Sequence, residues 1–521
     1  MSKFIRGTVI LLIAGFITKI LGFINRIVIA RFIGEEGVGL YMMALPSLYL
    51  VIAIVQLGMP IAISKFVAEA AAKGDHHKTK KILVVSLCVT GSLSLIFTPL
   101  LFMFAPYLST HVFTDSRTLL PLLAIAPIVP ITAVSAVLRG YFQGKQNMKP
   151  YAISNIIEQI VRISMIAALT KAFLPYGIEY AAAGAMVASV IGEIASLLYL
   201  MLMFKFKKSF RMRKQFFNYV SSGKDTLKEL LSIAIPTTGS RMIGSITWFF
   251  EPIVVARSLL AAGVATGVAT AQYGELAGYA VPLLMLPSFI THSLGTSLVP
   301  AVSEAYYKGN IKQVIHRLQQ SLRFAFLSGS LAVVTLYVLA EPVMQVMYHN
   351  DHASIYVRFM APFFLLFFFQ GPLQATLQAL NMARAAMFNS LIGSITKIIL
   401  ILTLVTQPNI GIMGAAIAIC VSTVLVTLLH FATVMKKIHL TIYLHEYIMA
   451  LVVMSISGLI GHMLYEQWLI GIPMIQRLII SIAVIVIVFA IGCLLTGLIR
   501  KKEIRRVPII GPLLSKIALF P

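Results

Sequence analysis

Lys19 and Arg26 stand seven residues apart in a segment that is otherwise largely apolar. On a helix that spacing returns to nearly the same face, about 10 Å further along the axis. Two cations stacked this way against hydrocarbon would be costly, so the stripe is expected to line a wetted cavity and to hold an anion. Arg31 lies off the stripe near the outer end of the segment, where snorkelling to headgroups competes with substrate contact. The matching segment of the second half carries Arg241, Glu251 and Arg257. Arg257 is the counterpart of Arg31, and Arg241 has Thr237, Thr238, Ser240 and Ser245 about it, as a wetted helix face would.

Other charges sort by whether a local partner is in reach. Glu158 and Arg162 are spaced to pair within one helix. In the second half the counterpart of Arg162 is Lys397, whereas that of Glu158 is Gly393. Lys397 has therefore lost its local partner and joins the expected substrate-binding cations. Glu193 has no partner within its own helix; with Glu251 it is a candidate for proton or cation coupling. Glu69 with Lys73, and Glu304 with Lys308, form i, i+4 pairs at helix ends, with structural or gate-forming roles expected. Arg139 and Arg358 lie nearer span ends, as anchors would. Cations outnumber carboxylates in these segments, so an anionic cargo such as a pyrophosphate is expected. Burying an unpaired charge costs several kcal/mol per ion even after relaxation, and a cationic cavity offsets that cost.

The elements that must position these groups are membrane helices. The chain has 521 residues, 59% hydrophobic and 12% charged, with mean hydropathy +0.91. No soluble domain of this size could cover so much apolar surface. Apolar stretches of about 20 residues, long enough to cross ~30 Å of hydrocarbon, recur throughout. Spans are expected at 7–32, 40–70, 82–106, 119–140, 151–172, 179–204, 230–257, 274–302, 319–341, 354–380, 387–406, 411–435, 447–468 and 475–499, about fourteen in all. The first carries Lys19 and Arg26 and lacks a small-residue cleavage site, so it reads as a retained span. Every second connection is basic, which places both termini and those loops in the cytoplasm. The net charge of +24 is thus dispersed over membrane-flanking loops, and no nucleic-acid partner is expected.

The hydrophobic pattern is written twice. Ala126-Pro127 recurs 235 residues later as Ala361-Pro362, and Leu138 and Gln143 recur as Leu373 and Gln378. Each copy holds six spans, an even number, so the copies enter the membrane the same way round, as parallel repeats related by a pseudo-two-fold along the membrane normal. The expected organisation is an N-terminal six-helix lobe at 1–204 and a basic cytoplasmic linker at 205–228. A C-terminal six-helix lobe at 229–435, an appended helix pair at 436–499 and a basic tail at 500–521 complete it. A duplicated all-α membrane unit points to a transporter with its pathway between the lobes.

Chemistry on the chain itself has little support. Gly140 to Lys145 has the wrong spacing for a phosphate loop, and Gln146 follows where Ser or Thr would be needed. No zinc-protease helix and no serine elbow is present. Cys88, Cys420 and Cys493 lie in apolar stretches, and His76-His77 is a lone loop pair, so no metal, cofactor or disulfide framework is expected.

Three runs carry a resemblance: Asn25 to Tyr41 (NRIVIARFIGEEGVGLY), Leu138 to Gly144 (LRGYFQG) and Tyr176 to Ala185 (YGIEYAAAGA). They resemble the polysaccharide-transporter branch of the multidrug/oligosaccharidyl-lipid/polysaccharide exporter superfamily over essentially the whole chain. The resemblance implies two six-helix lobes around a central V-shaped cavity, and a bacterial, endospore-forming source. It also implies a flippase for a lipid-linked cell-wall precursor, serving spore cortex peptidoglycan in the cell membrane. Membrane lipids and a cortex-synthesising glycosyltransferase or transpeptidase are the implied partners. In the lipid II flippases of this superfamily a further helix pair forms a groove for the lipid tail, which would suit spans 447–499. Lys19 matches a basic position of those flippases; their next basic position falls on Asn25, with Arg26 one step on, about 100° around the helix. A flippase for another lipid-linked oligosaccharide, a cation-coupled drug antiporter using Glu193 or Glu251, and a non-transporting sporulation scaffold are the alternatives.

Overall fold

The computed structural model of the chain describes residues 3–207, 219, 222–441 and 443–499. Among these residues the regular structure is helical throughout, with no strand. The reason is the bilayer: without water to satisfy backbone N–H and C=O groups, a segment must satisfy them internally. Eleven of the described helices are long and apolar enough to cross a membrane, or twelve if Thr266–Met285 and Ser288–Tyr307, bent by 54°, count as one span. One of the eleven, Ile13–Ala72, is 60 residues long. A straight helix of that length would measure about 90 Å, three times the hydrocarbon thickness.

Backbone breaks divide that stretch. Helix α1, Lys3–Gln56, is interrupted at Gly34, where φ is 64° and ψ is −175°. That conformation is essentially closed to residues with a Cβ, so glycine is required. A second break at Leu57 and Gly58, both with positive φ, precedes α2, Met59–Ala72, with Pro60 in its first turn. Thus the region expected at 40–70 as one span is broken before its last turns. Proline, which cannot donate to the preceding turn, marks other junctions. Pro127 separates α4, Leu119–Ile125, from α5, Ile128–Gly144.

The chain forms two compact units. The first comprises Met1–Gly278 with Ile401–Ile412. Besides α1, α2, α4 and α5 it contains α3, His76–Tyr107, α6, Met148–Phe173, α7, Ile178–Lys207, α8, Lys224–Ala261, and α9, Thr266–Tyr273. An apolar cluster including Ile63, Val67, Ile82, Leu83, Val137 and Tyr141 joins α2, α3 and α5. The second unit comprises Tyr279–Leu400 with Met413–Pro521. Its helices are α10, Val281–Met285, α11, Ser288–Tyr307, α12, Ile311–Val338, α13, Ala340–Tyr348, and α14, Ser354–Ala379. They continue with α15, Ala383–Leu404, whose residues from Ile401 on count with the first unit, α16, Met413–Ile438, α17, Leu444–Met463, and α18, Met474–Leu495. Stacked Phe326 and Phe369, with ring centroids 5.5 Å apart, join α12 to α14.

Candidate functional site

The first unit holds a buried ionic cluster drawn from three neighbouring helices. Arg139 on α5 places Nη2 3.1 Å from Glu193 Oε1 on α7 and 3.3 Å from Glu158 Oε2 on α6, and donates to Ser196 Oγ at 3.1 Å. Arg162, one turn beyond Glu158 on α6, donates to the second oxygen of Glu158. The Glu193 side chain is 4% exposed and that of Glu158 12%. Gly192 brings the helices this close: a Cβ there would stand 2.9 Å from the Glu158 carbonyl oxygen and 3.1 Å from Arg162 Cβ. Every carboxylate in the cluster is therefore matched by a guanidinium, as buried ions must be to persist.

The cluster lines a cavity of about 560 Å³. Arg139, Glu158, Arg162 and Glu193 form its charged wall, and Tyr49 with Trp248, ring centroids 5.0 Å apart, part of its aromatic wall. A smaller cavity of about 160 Å³ shares Tyr41, Tyr49 and Arg162 with the first and adds Arg26, Asn25 and Gln159. Arg162 thus stands between a cavity reached by Arg26 and one reached by Arg139. With all five groups ionised, three guanidiniums face two carboxylates. Arg139 Nε, Arg162 Nε, Asn25 Oδ1 and Gln159 Oε1 are buried without a protein hydrogen-bond partner. Buried polar groups of this kind are normally satisfied, so the site is built to meet a polar guest or water.

The sequence-derived candidates fall unevenly around this site. Arg26 lines the smaller cavity, whereas Lys19 is exposed further along α1. Glu193 sits inside the cluster, paired with Arg139 across 54 residues of sequence. Arg139, expected as an end anchor, instead turns inward to both carboxylates; nothing in its local spacing signalled that. Arg31 and Arg257 are exposed, and the Arg257 guanidinium donates to the His111 carbonyl. Glu251 is half-buried on α8; the side chain of Arg241, on the same helix, lies outside the described residues. Glu69 and Glu304 are both exposed, and Glu304 pairs with Lys308 as expected. Lys397 is half-buried on α15 in the second unit. Counted 235 residues on, Arg139, Glu158, Arg162 and Glu193 fall on Gln374, Gly393, Lys397 and Leu428, so those positions do not carry the same ionic set.

A second polar group occupies the connection between α3 and α4. Asp115, 3% exposed, accepts from Arg117 Nε at 3.0 Å, from Arg117 Nη2 at 2.7 Å and from Thr270 Oγ1 at 2.9 Å. Arg117 Nη2 also meets Glu36 Oε1 at 2.7 Å. These contacts tie α1 beyond the Gly34 break to α9. Burial works to raise the Asp115 carboxyl, but the hydrogen bonds from Arg117 and Thr270 outweigh it and hold the group below its ordinary value of 3.8.

Residues 4–306 match the family described as polysaccharide biosynthesis protein, and residues 252–403 match the family described as MatE. The chain belongs to the polysaccharide biosynthesis protein family. It is 56% identical to stage V sporulation protein B of Bacillus subtilis (strain 168) over 515 residues, covering 99% of each chain. It is 24% identical to lipid II flippase MurJ of the same organism, covering 90% of this chain and 89% of that one. A solved structure of lipid II flippase MurJ in an inward closed conformation aligns with TM-score 0.68 at 15% identity, covering 92% of this chain and 97% of that chain. The fold is that of the multidrug/oligosaccharidyl-lipid/polysaccharide exporter superfamily. This family member is a multi-pass membrane protein, with eleven helices among the described residues long and apolar enough to cross a membrane.

Proposed function

We propose that this membrane protein is a flippase that exports an undecaprenyl-pyrophosphate-linked peptidoglycan precursor, lipid II, for spore cortex synthesis. The observation that carries the reading is the cationic excess inside the first unit, where Arg26, Arg162 and Arg139 line two adjoining cavities. Likeness to a lipid II flippase supports the substrate, and 56% identity to a sporulation protein supports the setting. In this reading Lys19, Arg26, Arg241 and Lys397 contact the pyrophosphate, while Arg31 and Arg257 guide it near the membrane surface. The lobes at 1–204 and 229–435 rock to alternate access, Glu69 and Glu304 border the gates, and the helix pair within 436–499 accommodates the lipid tail. Moving two negative charges outward across ~100 mV, inside negative, is downhill by roughly 4–5 kcal/mol.

Glu193 supplies the coupling site in this reading. Its carboxylate shares Arg139 with Glu158, so a proton or small cation arriving at the pair would loosen the guanidinium. Glu251 is the second acidic candidate. The same carboxylates, with the match of residues 252–403 to MatE, favour a cation-coupled drug antiporter as the second reading.

Translocation of labelled lipid II in proteoliposomes tests the choice. Wild-type protein is expected to move it, and Lys19→Ala/Arg26→Ala to lose most of that movement. Efflux of a cationic dye that survives the double substitution, with no lipid II movement by oriented wild-type protein under an imposed potential and ion gradients, would overturn the flippase reading.

A further inference from the structure

The two cavities of the first unit differ in charge. Among the described residues lining the larger one, the charged groups are Arg139, Arg162, Glu158 and Glu193, which sum to zero when all are ionised. Each of its carboxylates already meets a guanidinium, so the wall has no net pull on a cation or an anion. The smaller cavity has Arg26 and Arg162 as its charged lining among the described residues. An anionic part of a guest is therefore drawn to the smaller cavity. The larger one suits a part that is uncharged but rich in hydrogen-bonding groups. Thr132 and Ser189, buried on the same lining, donate to the Val129 and Ala185 carbonyls and keep hydroxyl lone pairs with which to accept.

The rest of the lining includes an aromatic pair. Tyr49 on α1 and Trp248 on α8 have ring centroids 5.0 Å apart and planes inclined at 36°. Despite that contact Tyr49 is 45% exposed and Trp248 37%, whereas Tyr273 and Phe113 of the same unit are each 2% exposed. Rings that served only to pack α1 against α8 would be covered as those are. Gly244 lies one helical turn before Trp248, on the same face of α8, and lines the same cavity. A Cβ on Gly244 would meet no heavy atom within 4 Å, so open space borders the indole. A pyranose has this divided character: a face of C–H groups that lies against an aromatic ring, and a rim of hydroxyls that donate and accept. The cavity, at about 560 Å³, falls within the ~300–1,000 Å³ of small-molecule sites.

We propose that the larger cavity holds an uncharged pyranose unit of the cargo, seated on Tyr49 and Trp248 beside Gly244, with its hydroxyls bonded to the charged wall. This rests on the flippase reading above and adds which part of the cargo each cavity takes. The chain has two tryptophans, so Trp468→Phe leaves Trp248 as the sole indole and its emission reports the site. Full-length Trp468→Phe protein in nanodiscs is titrated with chitobiose, a neutral disaccharide of pyranoses, with inorganic pyrophosphate or with tetraphenylphosphonium. Chitobiose is expected to shift Trp248 emission saturably at millimolar concentrations. Gly244→Leu, which fills open space, and Tyr49→Leu are each expected to weaken that affinity by about tenfold or more, with the melting temperature unchanged. Tyr49→Phe keeps the ring and is expected to bind as the parent does. The proposal is overturned if folded protein gives no response to chitobiose, or if Gly244→Leu binds it as tightly as the parent. A response to tetraphenylphosphonium or pyrophosphate in its place would make the pair a cation or anion site instead. Lipid II movement in proteoliposomes of the same protein separates the two readings. Movement without chitobiose binding removes the sugar subsite and leaves the flippase, and chitobiose binding without movement keeps the sugar subsite and removes the flippase.

Discussion

Replacing Arg139 by methionine removes a guanidinium that sits 3.1 Å from Glu193 and 3.3 Å from Glu158 while leaving a side chain of similar length. Arg162 still pairs with Glu158, so Glu193, 4% exposed, is the carboxylate left without its cation. Removing one partner of a buried pair costs about 3–5 kcal/mol, mostly because an uncompensated charge remains. At about 2–4 °C per kcal/mol for a domain of a few hundred residues, the melting temperature should fall by roughly 6–20 °C. Removing both charges, as Arg139→Met/Glu193→Leu, takes away the orphan and should restore much of that loss. A double-mutant cycle with the two single variants in lipid nanodiscs, read by intrinsic fluorescence, should therefore show a coupling of about 2–3 kcal/mol. Strict additivity, or a melting temperature for Arg139→Met within a degree or two of wild type, would refute the idea that the cluster is an energetically closed unit.

Asp115 makes a pH-dependent prediction. Its folded carboxyl titrates below the ordinary 3.8, so the stability it contributes is present above that value and is lost as pH falls through the lower folded one. Thermal melts should show Asp115→Asn below wild type by a constant margin from pH 5 to 8, with the margin closing only below about pH 4. A margin that closed between pH 5 and 7 would implicate another group. Gly34→Ala should destabilise by about 1–3 kcal/mol, because alanine is strained at φ 64°, ψ −175°; an unchanged melt would mean the break relaxes freely. Gly192→Val should separate α6 from α7 and lower transport more than Glu193→Gln lowers stability, measured by proteoliposome flipping beside melts of the same preparations. Equal transport by wild type and Gly192→Val would exclude a need for this close approach.

Much of the architecture is legible in the chain alone because its causes are local or compositional. An apolar run of 20 residues must cross a bilayer as a helix, since no other open structure satisfies its backbone there. The two copies of the hydrophobic pattern, and the Glu158–Arg162 pair one helical turn apart, follow from counting along the sequence. The break at Gly34 falls in the connection left between the spans expected at 7–32 and 40–70, where Glu35, Glu36 and Gly37 interrupt the apolar run.

What only the tertiary structure decided is which face each helix turns to its neighbours. Arg139 and Glu193 are separated by 54 positions, and no periodicity relates rotation about α5 to rotation about α7. Their meeting depends on close approach at Gly192 and on the side chains packed between the helices. The same holds for Asp115 and Thr270, which lie 155 positions apart, and for Arg323 and Glu446. Spacing within a helix fixes the angle between two side chains on it, so local pairs can be read from the chain. A pair between helices also needs the axial offset and crossing of two rods, which every residue in their interface sets together. The sequence by itself therefore determined a helical membrane protein rich in intramembrane cations. Packing decided that Arg139 faces inward and that the carboxylates of α6 and α7 share it.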